Sequence, residues 1–262
     1  MKLIIFLLIL LCSGLSYSQD KNITAKIPYN NEFASGTYRI YRNDYNTSIS
    51  LNQVSKPIIF VEGFDPNNEF SIDNLYGILD YNSLANTLHK NGHDIIVLNF
   101  SNGGDYIQKN AYLLIELINQ INNNKPNKTD DLIVIGFSMG GLVSRYALSY
   151  MEKNSSVTGS HQTKLFVSFD SPQKGAHVPV GIQALTLTFS SDLYKSIFPD
   201  LATSLNLFNA PAAKQMLKYR LSNPSQLNGE IPVSIDYLNF MNEINNLNGC
   251  NGYPKKSRNI AL

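Results

Sequence analysis

A chain of 262 residues, 43% hydrophobic and 16% charged, has the composition of one medium globular domain, or of one domain carrying an insertion. Its 21 basic and 20 acidic side chains leave a formal charge of +1, which excludes the electrostatic footprint expected of a nucleic-acid-binding protein. No internal repeat or low-complexity tract points to a solenoid or a disordered tail.

The amino end has the layout of a signal peptide over residues 1–18. Lys2 supplies a positive start, and Leu3 to Leu11 is an apolar run too short to span a bilayer comfortably. Ser16 and Ser18 place small residues where a signal peptidase inspects the chain, so cleavage is expected before Gln19. An uncleaved anchor is the alternative. A lipidated Cys12 is disfavoured by the bulky Leu11 before it. Export places the remaining residues, 19–262, in a periplasmic, cell-surface or extracellular compartment without stable membrane insertion. Cys250 is then a lone cysteine, so no internal disulfide is expected.

Past a polar, tyrosine-rich stretch, residues 37–41 alternate and predict an edge strand. Ile58 to Val61 is a continuous apolar run, as in a strand covered on both faces. A helix is predicted over 83–90 and stopped by Gly92, followed by a second buried strand at Ile95 to Leu98. Apolar residues from Ile107 to Ile121 keep helical spacing, with Asp105 placed to cap them. Leu132 to Ile135 predicts a third strand. Leu142, Val143, Tyr146, Ala147 and Tyr150 form one helical face, and Leu165 to Phe169 predicts a fourth strand. Strands alternating with amphipathic helices mean a doubly wound α/β fold with a mostly parallel sheet. The rhythm then breaks. Residues 176–250 are apolar without a clear strand, which predicts an inserted helical cap. Leu187, Phe189 and Phe198 are its candidates for touching an acyl chain. Arg258 to Leu262 resumes as a strand.

Gly136-Phe137-Ser138-Met139-Gly140 joins the third strand to the next helix and fits G-x-S-x-G, the nucleophile elbow. Glycine at 136 and 140 allows a turn tight enough to push Ser138 clear of the backbone in a strained conformation with positive φ. The Met139 amide opens the helix, where unpaired N–H groups favour a developing oxyanion. Val61-Glu62-Gly63-Phe64-Asp65 ends the first parallel strand, and the Phe64 amide is the candidate second oxyanion donor. No phosphate-loop motif and no clustered set of metal-ligating residues occurs, so neither cofactor nor metal is expected. Gly103-Gly104 before Asp105 reads as a helix start.

These two motifs, with Phe169-Asp170-Ser171-Pro172-Gln173-Lys174-Gly175-Ala176, resemble the α/β-hydrolase superfamily. Within it they are most similar to secreted bacterial lipase- and esterase-like proteins related to the PGAP1-type lipases. The resemblance runs from Pro57 to about Ala176. It implies a serine hydrolase of carboxylic esters acting through an acyl-Ser138, with a small-molecule or lipid ester as partner and no set oligomeric state. Two positions depart from the pattern: Glu62 and Gln173 stand where these relatives commonly carry histidine. The resemblance also implies the chain order serine, acid, histidine. Asp170 is the candidate acid, and a helix cap is its alternative role. Of the four histidines, His89 and His93 precede the elbow and flank a helix end, where capping is expected. His161 lies in a polar segment and reads as a solvated loop residue. His177 follows the fourth strand on the wrong element for a triad base. The expectation is therefore a catalytic histidine beyond Leu262 in a longer chain, or a truncated, non-catalytic relative.

Overall fold

The computed structural model describes residues 19–43, 53–188, 207–223, 226 and 229–262. The expected signal peptide at 1–18, and Phe189 and Phe198 of the expected cap, lie outside the described residues. Seven strands form one sheet: β1 (Lys21–Thr24), β2 (Ser35–Tyr41), β3 (Ile58–Val61), β4 (Ile95–Phe100), β5 (Leu132–Phe137), β6 (Thr163–Phe169) and β7 (Arg258–Ala261). Their order is β1-β2-β4-β3-β5-β6-β7. β3 to β7 and β4 run parallel, while β2 is antiparallel to both β1 and β4.

The expected edge strand at 37–41 is therefore not an edge. β1 covers it, with Lys21 opposite Tyr38 and Thr24 opposite Ser35. Lys21-Asn22-Ile23-Thr24 has one buried side chain, too little apolar pattern to announce a strand.

Helices cover both faces of the sheet. On one side lie α1 (Ile72–Leu79) and α2 (Leu84–Lys90), and on the other α3 (Ile107–Asn124) and α4 (Met139–Lys153). The two-residue period of a strand divides the apolar runs between these layers. Ile59, Val61, Ile96 and Leu98 pack under α3 and α4, whereas Phe60, Ile95 and Val97 pack under α1 and α2. Each such fully buried side chain contributes about 1.5–3 kcal/mol relative to exposure. That is why these runs had to be apolar at every position.

Helix α1 has a capping box that the hydrophobic pattern did not reveal. The Ser71 hydroxyl accepts the Asn74 amide at 3.1 Å, and the Asn74 side chain accepts the Ser71 amide at 3.0 Å. Asp105 does not cap α3. Tyr106 is the N-cap residue, while Asp105 accepts the Tyr106 amide and pairs with Lys109. After β6 come α5's successors: the short α5 (Ser155–Thr158) precedes that strand, and α6 (Val180–Thr188), α7 (Pro211–Met216) and α8 (Ile235–Asn245) follow it. Among the described residues, 176–250 hold these helices and isolated bridges but no strand of the sheet. Among the described residues, no helix is long and apolar enough to cross a membrane.

Candidate active site

Strand β5 passes into α4 at Ser138, which has φ 50° and ψ −123°. Glycines make the crossing possible. A Cβ on Gly136 would lie 2.4 Å from the Gly140 carbonyl oxygen, and one on Gly140 would lie 2.4 Å from the carbonyl oxygens of Val61 and Glu62. The Ser138 amide donates to the Phe169 carbonyl at 2.9 Å, which ties the turn to the end of β6. Met139 is the first residue of α4, so its amide has no acceptor inside the helix.

The end of β3 meets this turn directly. A Cβ on Gly63 would stand 3.2 Å from the Ser138 Cβ, so the Gly63 backbone lies against the serine. Beside them lies an apolar cavity of about 60 Å³ that touches Ser138 and is lined by Phe64, Phe70, Leu75, Ile78 and Phe137. Leu75 and Ile78 come from α1, a helix absent from the sequence expectation. The cavity therefore opens on the α1 side of the serine. Leu187 of the expected cap is not among its lining residues.

Asp65 builds the loop between β3 and α1. Its carboxylate accepts the amides of Glu69 and Phe70 at 2.9 and 2.8 Å. Glu62 is 1% exposed and accepts the Phe100 amide at 2.6 Å. Burial pushes its carboxyl up to about 8, the Phe100 hydrogen bond opposing this and the Asp65 charge adding to it.

Asp170 follows β6 with φ 44°, exposed, and its amide donates to the Leu262 carbonyl at 3.0 Å. It thus stands one residue beyond the carbonyl that accepts from Ser138. Gln173 donates to the hydroxyls of Ser168 and Ser171 at 2.8 and 3.1 Å, and accepts from Arg145.

The histidines are placed as follows. His89 donates from Nδ1 to the His93 carbonyl and meets the Tyr76 hydroxyl with Nε2, while His93 contacts the Lys56 carbonyl. The His93 amide caps α2 as expected, donating to the Leu88 carbonyl at 3.1 Å past Gly92 at φ 83°, whereas the His89 side chain caps none of its last carbonyls. His161 is not a solvated loop residue: it is 2% exposed, its Nδ1 accepts the Thr163 amide, and its Nε2 faces Glu152 at 3.2 Å. Its burial comes from α4, nine residues earlier, and the polar neighbours of His161 gave no sign of it. His177 is exposed, with its ring tilted against Tyr219 at 5.7 Å.

Residues 81–197 match the PGAP1-like alpha/beta domain. A protein of Drosophila melanogaster described as a lysosomal thioesterase PPT2 homolog is 28% identical over 169 residues, covering 62% of this chain. The match spans about half, 48%, of that relative's length. Among solved structures, the Bacillus licheniformis lipase BlEst2 in mature form has 15% identity and a TM-score of 0.45, over 85% of this chain and 70% of that one. The N228W mutant of the esterase LipA from Xanthomonas oryzae has 12% identity and a TM-score of 0.48, over 92% and 74%. Residues 81–197, which include the Ser138 turn between β5 and α4, are thus similar to the PGAP1-like alpha/beta domain.

Proposed function

We propose that this protein is an exported serine hydrolase that cleaves short-chain acyl esters or thioesters through an acyl-Ser138. One observation carries the reading: Ser138 stands at positive φ between strand and helix, in contact with a loop that offers a second amide. The Ser138 Oγ attacks the acyl carbonyl carbon while its proton passes to a base. The carbonyl oxygen becomes negative and is met by the Met139 and Phe64 amides. The C–O or C–S bond breaks, the alcohol or thiol leaves with the proton, and water hydrolyses the acyl-serine to a carboxylic acid. Asp170 is the proposed acid of the triad. Thioesters join the substrate class because the Drosophila relative is described as a thioesterase homolog. A short acyl chain is proposed because the cavity that the described residues form beside Ser138 is about 60 Å³, well below the roughly 300 Å³ at which drug-sized ligand pockets begin.

The competing reading is a binder of acyl ligands without turnover. It is favoured by the Ser138 hydroxyl, which has no side-chain hydrogen-bond partner among the described residues. One preparation tests both. The protein recovered from the exported fraction should begin at Gln19, should react covalently with an alkyl fluorophosphonate at Ser138, and should hydrolyse p-nitrophenyl butyrate faster than the octanoate. Ser138→Ala should abolish labelling and turnover. A wild-type protein that binds butyramide but neither labels nor turns over is a binder, and one that retains residues 1–18 is not processed for export.

A further inference from the structure

Glu62 occupies a position where a carboxyl needs a reason to be. Its Oε2 holds the Phe100 amide at the end of β4, while Oε1 is buried with no donor facing it among the described residues, and the Asp65 carboxyl lies close enough to share a hydrogen bond once one of the two is protonated. An unpaired, buried carboxylate oxygen is costly, whereas the protonated acid removes the charge and places its proton on the orphaned oxygen. The surroundings favour the acid. Asp65, 4% exposed on the same loop, is the charged side chain whose field reaches Glu62. β4 offers only the Phe100 amide. α4 offers Gly140, which bears no side chain and lies under the Glu62 carbonyl. Among the described residues, no cation contributes to the field at Glu62.

Glu62 is also next to Gly63, which rests on Ser138, and two residues before Phe64. The loop is pinned at its far side as well. A Cβ on Gly103 would come within 2.7 Å of the Asp65 carbonyl oxygen, so the chain after β4 backs the chain after β3. The Glu62–Phe100 bond ties the same two strand ends together.

We propose that Glu62 is a positioning residue: by docking the end of β3 on the Phe100 amide, beside Asp65, it fixes where Gly63 and Phe64 present their backbone to Ser138. The inference rests on the acyl-Ser138 reading for its kinetic consequence, although the positioning itself is read without turnover. The neutral acid holds the loop. As pH rises through about 8, a charge forms against Asp65 with no counter-ion, and the loop loses its place. The sign follows from the raised value in the folded protein. Stability from this group is complete below the ordinary 4.5 and is lost as pH climbs through about 8.

The test reads the carbonyl-carbon NMR resonances of Gly63 and Phe64 against pH. In the wild type they should titrate together with a midpoint near 8. Glu62→Gln, which keeps an oxygen for Phe100 and cannot ionise, should flatten the titration. Asp65→Asn, which removes the neighbouring charge, should move the midpoint to lower pH, and this variant decides the matter by itself if the Glu62 variants fail to fold. Kinetically, kcat/KM for p-nitrophenyl butyrate should fall above the same midpoint in the wild type. Glu62→Ala should lose about 10²–10³ in kcat with little change in KM, the size of a lost oxyanion donor. Glu62→Gln should restore that turnover without the alkaline fall. Resonances that do not move with pH, or that titrate identically in Glu62→Gln or Asp65→Asn, overturn the proposal. The predicted NMR titration in a protein without turnover supports the positioning and counts against the Ser138 reading alone.

Discussion

At Gly140 there is no room for a methyl group. It would stand 2.4 Å from two carbonyl oxygens of the β3 end, and neither can move without carrying Gly63 away from Ser138. Gly140→Ala should therefore destabilise the fold by about 1–3 kcal/mol, the ordinary cost of overpacking, and should slow covalent labelling of Ser138. Equal melting temperatures and equal labelling rates for the variant and the wild type would refute the tight crossing. The glycines at 136 and 140 were legible in the sequence because a backbone crossing constrains residue type locally. Glu62 was visible only as a departure from a pattern. Its role depends on Phe100, thirty-eight positions away, and on burial that no neighbouring residue announces. His161 misled for the same reason, since its partner Glu152 lies on a different element.

Helix α4 fastens the segment that leads into β7. Arg145, 1% exposed, donates to the Gly252 and Asn251 carbonyls and to Asn245, and stacks over Tyr253 at 4.0 Å. Ser149 donates to the Gly252 carbonyl at 2.6 Å. Glu152 accepts the amides of Lys255 and Lys256 together with His161 and Asn248. Burial alone would raise the Glu152 carboxyl, but the Lys255 and Lys256 amides, His161 and Asn248 outweigh it and hold the group below its ordinary 4.5. Burial also lowers His161 from 6.5, so the folded protein keeps it neutral. Both shifts have the same sign. The unfolded chain binds more protons than the native one beneath pH 6.5 for His161, and beneath 4.5 for Glu152, so stability falls as the solution is acidified. The melting temperature should drop between about pH 7 and about pH 5. Glu152→Gln should lower it by roughly 5 °C at neutral pH and, because the Glu152 charge holds the His161 value up, should steepen the fall between about pH 7 and about pH 5. A melting temperature equal at both pH values would contradict this account. The elements themselves were unequally legible. β3, β4 and β5 declare themselves because both faces are buried. α1 is only 8 residues long and begins with a capping box closed by Asn74 where glutamate is commoner.

The alternation of apolar strands and amphipathic helices was enough to predict a parallel sheet wrapped on two sides, because each strand buries a different helix layer with every other residue. Strand order was not legible. Nothing in Ser35 to Tyr41 specifies that it reverses direction and pairs with residues 95–100. The region from 176 to 250 was legible only as a break in rhythm, since its helices are short and its contacts are distant. The antiparallel edge has a practical consequence. β1 is four strand spacings from β5, about 19 Å at roughly 4.8 Å each, so the chain at Gln19 leaves the molecule on the flank away from Ser138. A resin, electrode or fluorescent reporter coupled through residue 19 should hold the protein with its reactive edge facing the solution and its rate on p-nitrophenyl butyrate preserved. The same attachment through exposed Lys174, five residues past the carbonyl that accepts the Ser138 amide, should obstruct it. Equal rates from the two immobilised forms would show that access to Ser138 does not run along that edge.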